Sequence, residues 1–196
     1  EGLLWLHLDW HAVHYVKVML DEIFGEDRLV NEIIWHYKSG GSSKRHFARK
    51  HDTILLYSKT DDYKLKPGKE KSYNREGKPY RFKGVEEFFD EGGWYTIVNQ
   101  KDVWQMDMVG RTAKERTGYG TQKPMNLLRR IVESSTEPGE LCADFFCGSG
   151  TLAVAAEELN RKWICCDREK LAIAMSEKRI LGGDYSFLVE AGIIGT

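Results

Sequence analysis

In the stretch CADFFCGSGT (142–151) two glycines bracket Ser149 and lead through Thr151 into an alanine-rich run. Without side chains at Gly148 and Gly150 the backbone can turn sharply and admit a ligand close to it, and a following helix offers its free N–H groups. Asp167 stands roughly 20 residues further on, where a carboxylate can bridge two ribose hydroxyls. Gly148, Gly150 and Ala153 also satisfy the G-x-G-x-x-[GA] spacing of dinucleotide enzymes, so a nicotinamide oxidoreductase stays open, as does a tight turn that binds nothing. The residues just ahead of the turn separate these readings. Asp144 would repel a diphosphate, whereas a ligand carrying an ammonium and a sulfonium beside an adenosine would be drawn to it, with Phe146 alongside. S-adenosylmethionine has that chemistry.

Two basic stretches suggest a second kind of contact. Residues 38–50, KSGGSSKRHFARK, hold Lys38, Lys44, Arg45, Arg49 and Lys50 among glycines and serines that can follow a phosphate backbone. Residues 64–83 hold eight Lys or Arg against two Glu, interleaved with Tyr73, Tyr80 and Phe82. Taken alone, either stretch reads as a solvated loop. With 29 Lys and Arg against 30 Asp and Glu, the formal net charge is -1, so no whole-molecule field draws the chain to nucleic acid or to an anionic membrane. His7, His11 and His14 with Asp9 can be drawn as a metal site, but the spacing is not a standard ligand pattern; a helix start capped by Asp9 is the plainer reading. No metal is expected. Cys142, Cys147, Cys165 and Cys166 show no C-x-x-C pairing and read as reduced, buried thiols of a cytoplasmic protein. No apolar run approaches the roughly 18 residues that span a bilayer.

The elements that must position these residues follow from hydrophobic pattern. LLWLHL (3–8) reads as a strand buried on both faces, and Val13, Val16, Met19, Leu20, Ile23 and Phe24 recur at helical spacing up to Gly25, which suits a left-handed cap. NEIIWHY (31–37) and HDTILLYS (51–58) suit two further strands. Between 60 and 118 periodicity fades and turn signals multiply, which indicates an insert with short strands near Trp94 to Val98. An amphipathic helix follows TQKP, with Pro124 at its first position; then come a strand at 141–146, a helix near 150–159, a strand at 162–167 and a helix over 169–180. Strand and helix alternate at both ends, which indicates a parallel α/β sheet interrupted by an insert.

Read in order, residues 115–174, ERTGYGTQKPMNLLRRIVESSTEPGELCADFFCGSGTLAVAAEELNRKWICCDREKLAIA, resemble the amino-methyltransferases of bacterial restriction-modification systems. The resemblance is to the permuted class, in which the catalytic half precedes the cofactor half. LHLDWHAVHYVKVMLDEIFG, NEIIWHY and RKHDTILLYSK in the first 59 residues resemble it too. It implies a three-layer, Rossmann-like methyltransferase fold with catalytic-half elements over 1–59, a target-recognition insert over 60–118, a cofactor half over 119–180 and a tail over 181–196. It also implies that Asp144, Phe146, Gly148, Ser149, Gly150 and Thr151 surround the methionine part of S-adenosylmethionine, that Asp167 holds the ribose, and that Thr121, Gln122 and Lys123 close the site. Double-stranded DNA would be the partner, met by Lys38, Lys44, Arg45, Arg49 and Lys50. The methyl group would pass directly to an exocyclic amine of adenine, less favourably cytosine, with neither a covalent intermediate nor a metal. A homodimer is left open.

Two departures stand out. Phe145 lies where the family commonly has proline, which implies a slightly altered turn. More consequentially, the family's catalytic loop, Asp, Asn or Ser followed by Pro-Pro and an aromatic, is absent: Pro67, Pro79, Pro124 and Pro138 are never adjacent. That loop accepts hydrogens from a weakly nucleophilic amine and stacks on the flipped base. The expectation is therefore a fragment, inactive alone, whose missing central strand leaves the 3–8 and 141–146 strands without a neighbour. A non-catalytic cofactor- and DNA-binding subunit relying on a partner's loop is the rival reading.

Overall fold

The computed structural model describes residues 1–38 and 41–182; the expected tail from 183 onward lies outside them. Strand β1 (Leu3–Leu8) leads into helix α1 (Val13–Phe24), which returns to β2 (Leu29–His36), and β3 (His51–Ser58) inserts between β1 and β2. Both neighbours of β3 run antiparallel to it, in registers such as Leu6↔Leu55 and Ile33↔Ile54. A uniformly parallel sheet is thus not what forms. The link from β2 to β3 carries no helix, and without a crossover helix the returning strand pairs antiparallel.

The stretch expected as an insert contains a small antiparallel sheet, ordered β4 (Lys69–Tyr73), β6 (Gly93–Asn99), β5 (Phe88–Asp90). Its last strand, β7 (Val103–Gln105), leaves that sheet and pairs parallel with β2. Helix α2 (Met125–Ser135) follows, then β8 (Leu141–Asp144), α3 (Thr151–Glu158), β9 (Lys162–Cys165) and α4 (Lys170–Leu181). β8 and β9 pair parallel with each other. Among the described residues, the outer edges of β1 and β8 have no strand partner, and β1 does not pair with β8.

Helix α2 joins the two halves. Leu127 is buried against Ile33, Trp35, Ile54 and Trp104 of the four-stranded sheet, while Val132 is buried against Cys142, Leu152 and Ala156. Trp5 Nε1 donates to Ser135 Oγ at 2.8 Å, fixing the end of the helix to β1. On the opposite face of the sheet, Val13 and Leu20 of α1 cover Leu55 and Tyr57. Met19 and Ile23, expected in that core from their spacing, instead face solvent. In α3 the wholly buried Ala153, Ala155 and Ala156 let the helix lie close to β8 and β9.

Local chemistry explains several boundaries. Pro124 is the N-cap of α2, one residue earlier than its φ preference alone suggests, and Met125 opens the helix. Asp9 accepts the N–H groups of His11 and Ala12 in the turn before α1, but Ala12, not Asp9, caps the helix. Gly25 has the positive φ expected of it, with an extended ψ of 142°. The strand expected over 141–146 stops at Asp144, whose Oδ1 accepts the N–H of Phe146 at 3.0 Å and so curls the chain into a turn. Of the four thiols, all free, Cys166 is exposed and Cys165 only half-buried, contrary to the expectation of four buried ones. No helix among the described residues is long and apolar enough to cross a membrane.

Candidate functional site

The glycine turn sits between the C-terminal ends of β8 and β9. Gly148 (φ +53°) and Gly150 (φ +69°) are both left-handed, a conformation that side chains disfavour. At Gly148 a Cβ would lie 2.9 Å from the Tyr119 ring, and at Gly150 it would lie 2.8 Å from Ser176 Cβ and 3.0 Å from its Cα. Only glycine fits both places. Asp167 fixes the first of them: its Oδ2 accepts the Gly148 N–H at 2.8 Å and its Oδ1 accepts the Glu169 N–H at 2.9 Å. Those backbone donors, Glu169 first, hold its carboxyl below the usual value, so it stays ionised with lone pairs to spare for hydroxyl donors.

Asp144 is half-buried, and burial pushes its carboxyl up; the Asp167 charge adds to this, while the Phe146 N–H and the Lys123 cation oppose it. A carboxylate kept above its ordinary value by desolvation is one that a cationic ligand would stabilise. Phe146 is 86% exposed, standing free beside the turn. Ser149 is buried and Thr151, also buried, places its Oγ1 3.4 Å from Lys123 O, so the turn touches the start of α2.

The segment before α2 is less uniform than expected. Thr121 is exposed, and its carbonyl accepts Lys123 Nζ at 3.1 Å. The Gln122 side chain is directed into its own loop: Oε1 accepts from Thr117 N and Thr117 Oγ1, both at 2.8 Å, and Nε2 donates to Glu115 O at 2.6 Å. These contacts make it a brace for residues 115–122. Burial lowers the Lys123 ammonium below its ordinary value, against the pull of Asp52 and Asp144. Lys123 therefore lies between the two halves.

Asp52 belongs to a polar group that spacing did not reveal. His7 Nε2 is 3.0 Å from Asp52 Oδ2, and Tyr37 Oη donates to Asp52 Oδ1 at 3.2 Å. Burial, then the Lys123 cation, lower the His7 pKa against the raising effect of Asp52. His11 pairs instead with Asp9 at 3.0 Å, so the histidines of the LHLDWHAVH run do not converge. Among the described residues no three His, Cys, Asp or Glu side chains are grouped to hold a metal ion.

The basic loop leaves the sheet at the end that carries His7, Asp52 and Tyr37. Tyr37 N donates to Lys50 O at 2.9 Å, closing the loop's base. Lys38 N donates to Asp107 Oδ1 at 2.8 Å, and Lys50 Nζ to Lys38 O at 3.4 Å. The Arg49 guanidinium lies over the Trp10 ring, 3.7 Å from its centroid. Lys44 and Arg45 are exposed, and Phe47 of the same loop is 99% exposed.

Residues 1–178 match the family model described as DNA methylase (N6/N4 type). The chain belongs to the N6/N4 DNA methylase family. It is 29% identical to the type II methyltransferase M.EcaI of Enterobacter cloacae, over 93% of this chain and 54% of that protein. It is similarly 29% identical to M2.LlaDCHI of Lactococcus lactis subsp. cremoris, over 93% of this chain and 61% of that one. The chain thus spans about half to three fifths of the length of these relatives. Among solved structures, a complex of M1.HpyAVI with SAM superposes with a TM-score of 0.63 at 19% identity, covering 91% of this chain and 74% of the other. That likeness shows the fold, an α/β Rossmann-like methyltransferase architecture.

Membership of this methylase family removes the nicotinamide reading of the G-x-G-x-x-[GA] spacing. In the methylase chain the sequence signals come together: Asp144 ends β8 ahead of the turn that carries Gly148 and Gly150, and Asp167, beyond β9, accepts the Gly148 N–H. What they missed are Tyr119 against Gly148, Ser176 against Gly150, and, at the end of the four-stranded sheet, the His7–Asp52–Tyr37 group. A single polar residue on an apolar helix or strand carries no spacing pattern that would announce it.

Proposed function

We propose that this chain is the S-adenosylmethionine-binding and DNA-facing part of a DNA amino-methyltransferase that acts on the exocyclic amine of adenine. The half-buried Asp144 carboxylate, raised by desolvation beside the glycine turn, carries this reading: it is a site built to gain from a positive charge. Asp144, Phe146, Gly148, Ser149, Gly150 and Thr151 would hold the methionine end, Asp167 the ribose hydroxyls, and Thr121, Gln122 and Lys123 the remaining wall. The cofactor, when bound, supplies an electrophilic methyl on a sulfonium. The residues of this chain orient it: Asp167 anchors Gly148, Tyr119 packs on the turn, and Gln122 braces the loop that ends at Lys123. The preference for adenine over cytosine rests on the family resemblance.

Duplex DNA would meet the loop carrying Lys38, Lys44, Arg45, Arg49 and Lys50, which stands at the His7–Asp52 end of the sheet. The edges of β1 and β8, unpartnered among the described residues, support a base-holding loop contributed by a strand from outside this sequence. The test is methylation of duplex DNA with labelled S-adenosylmethionine, read as modified nucleosides by mass spectrometry. It compares residues 1–196 with a longer gene product that includes a Pro-Pro-aromatic segment. The longer protein is expected to yield N6-methyladenine and the shorter one to bind cofactor without methylating. N4-methylcytosine would reassign the base, and turnover by residues 1–196 alone would refute the need for a supplied loop.

A further inference from the structure

Helix α4 grips the glycine turn from behind. Ser176 and Arg179 are three residues apart and so share one face of the helix. Ser176 Oγ donates to Gly148 O at 2.9 Å, and Arg179 Nη1 donates to the very next carbonyl, Ser149 O, at 3.0 Å. The same nitrogen reaches Thr151 Oγ1 at 2.8 Å. In a trans peptide the N–H and C=O point in opposite directions. Drawing the Gly148 carbonyl towards α4 therefore sends the Ser149 N–H away from α4, and that N–H has no partner among the described residues. The contact is tight, because Ser176 occupies the space a Cβ on Gly150 would need.

Arg179 is an unusual choice for a purely structural prop. It is half-buried, and burial lowers its pKa; the carboxylates that oppose this, Glu115 and Glu158, lie beyond ion-pair distance among the described residues. Desolvating a guanidinium without a paired carboxylate is unfavourable unless its hydrogen bonds achieve something else. Here they set two oxygens of the turn. Thr151 Oγ1, having accepted from Arg179, points its own hydrogen towards Lys123 O, 3.4 Å away, so one cation links the turn to the Thr121–Lys123 segment.

We propose that Ser176 and Arg179 are positioning residues for the cofactor turn, orienting its peptide planes towards the ligand, and that Arg179 also sets the turn relative to the start of α2. The proposal rests on the cofactor assignment made above. The test is calorimetric titration of the whole chain with S-adenosylmethionine for wild type, Ser176→Ala, Arg179→Ala and Arg179→Lys, alongside thermal unfolding of each. Arg179→Ala is expected to weaken binding by about 10- to 100-fold, the range for losing hydrogen bonds from a charged donor. Millimolar guanidinium added to Arg179→Ala restores affinity but not melting temperature, and Arg179→Lys retains part of the affinity. Ser176→Ala, a small change on a helix, weakens binding severalfold and keeps the proposal testable if Arg179→Ala fails to fold. Wild-type affinity in both alanine variants overturns the proposal, as does a loss that follows melting temperature and answers to neither guanidinium nor lysine. Absence of binding by the wild type would strike the cofactor assignment itself, a distinct failure.

Discussion

Replacing Gly150 by alanine tests whether the turn is as tightly specified as its contacts imply. Two effects add. A left-handed conformation costs an L-residue roughly 1–2 kcal/mol, and Gly150 has φ +69°. The new methyl would also stand 2.8 Å from Ser176 Cβ and Oγ and 3.0 Å from Ser176 Cα, and the last of these is backbone that cannot rotate away. Overpacking of that kind costs about 1–3 kcal/mol. Gly77 supplies the control, since its φ of +63° is similar but a Cβ there meets nothing within 4 Å. Gly77→Ala should therefore lose only the conformational part, and Gly150→Ala should fall below it by about 1–3 kcal/mol, or roughly 2–12 °C in melting temperature for a chain of this size. Urea and thermal unfolding followed by circular dichroism measure both variants. Equal losses at the two positions would refute the argument that Ser176 and the turn are in enforced contact.

Two further outcomes follow from the same geometry. His7 has a depressed pKa, so its contribution to stability is complete above its ordinary value of about 6.5 and is lost as pH falls through the lower folded value; His7→Gln should flatten the decline of melting temperature on the acid side of that value, and an unchanged slope would contradict the assignment. Charge reversal at Lys44, Arg45 and Arg49 should weaken duplex binding and reduce the slope of log affinity against log salt by up to about 2–3; fluorescence anisotropy across a salt series would show an unchanged slope if the loop is not at the DNA interface.

The parts legible in the sequence were those whose cause is local. Gly148 and Gly150 announce a left-handed turn because glycine adopts it without the cost that side chains bear, and the 3.6-residue repeat of Leu127, Leu128, Ile131 and Val132 announces α2 because the helix must bury one stripe. Pairing order was not legible. The insertion of β3 between β1 and β2 depends on contacts such as His7 with Ile54, far apart in the chain, and reading alternating elements as parallel missed it. The same distance hid the His7–Asp52 pair, which joins β1 to β3 across 45 residues, and the reach of Arg179 back to Ser149 across 30. Gln122 shows a third limit. The family resemblance places it at the cofactor site, but nothing in the sequence shows that its side chain also satisfies backbone groups of loop 115–122.

The proposed cofactor site depends on Asp144 acting as the seat of a positive charge. Burial holds its carboxyl above the ordinary 3.8, so a cationic ligand that draws it back down must expel a proton over the pH range between the two values. Titration of the chain with S-adenosylmethionine, in buffers of differing ionisation enthalpy just above that ordinary value, measures the proton directly. Binding accompanied by proton release, weakening as pH falls and lost in Asp144→Ala, is the expected result; binding indifferent to both pH and Asp144, or a preference for a nicotinamide dinucleotide, would contradict it.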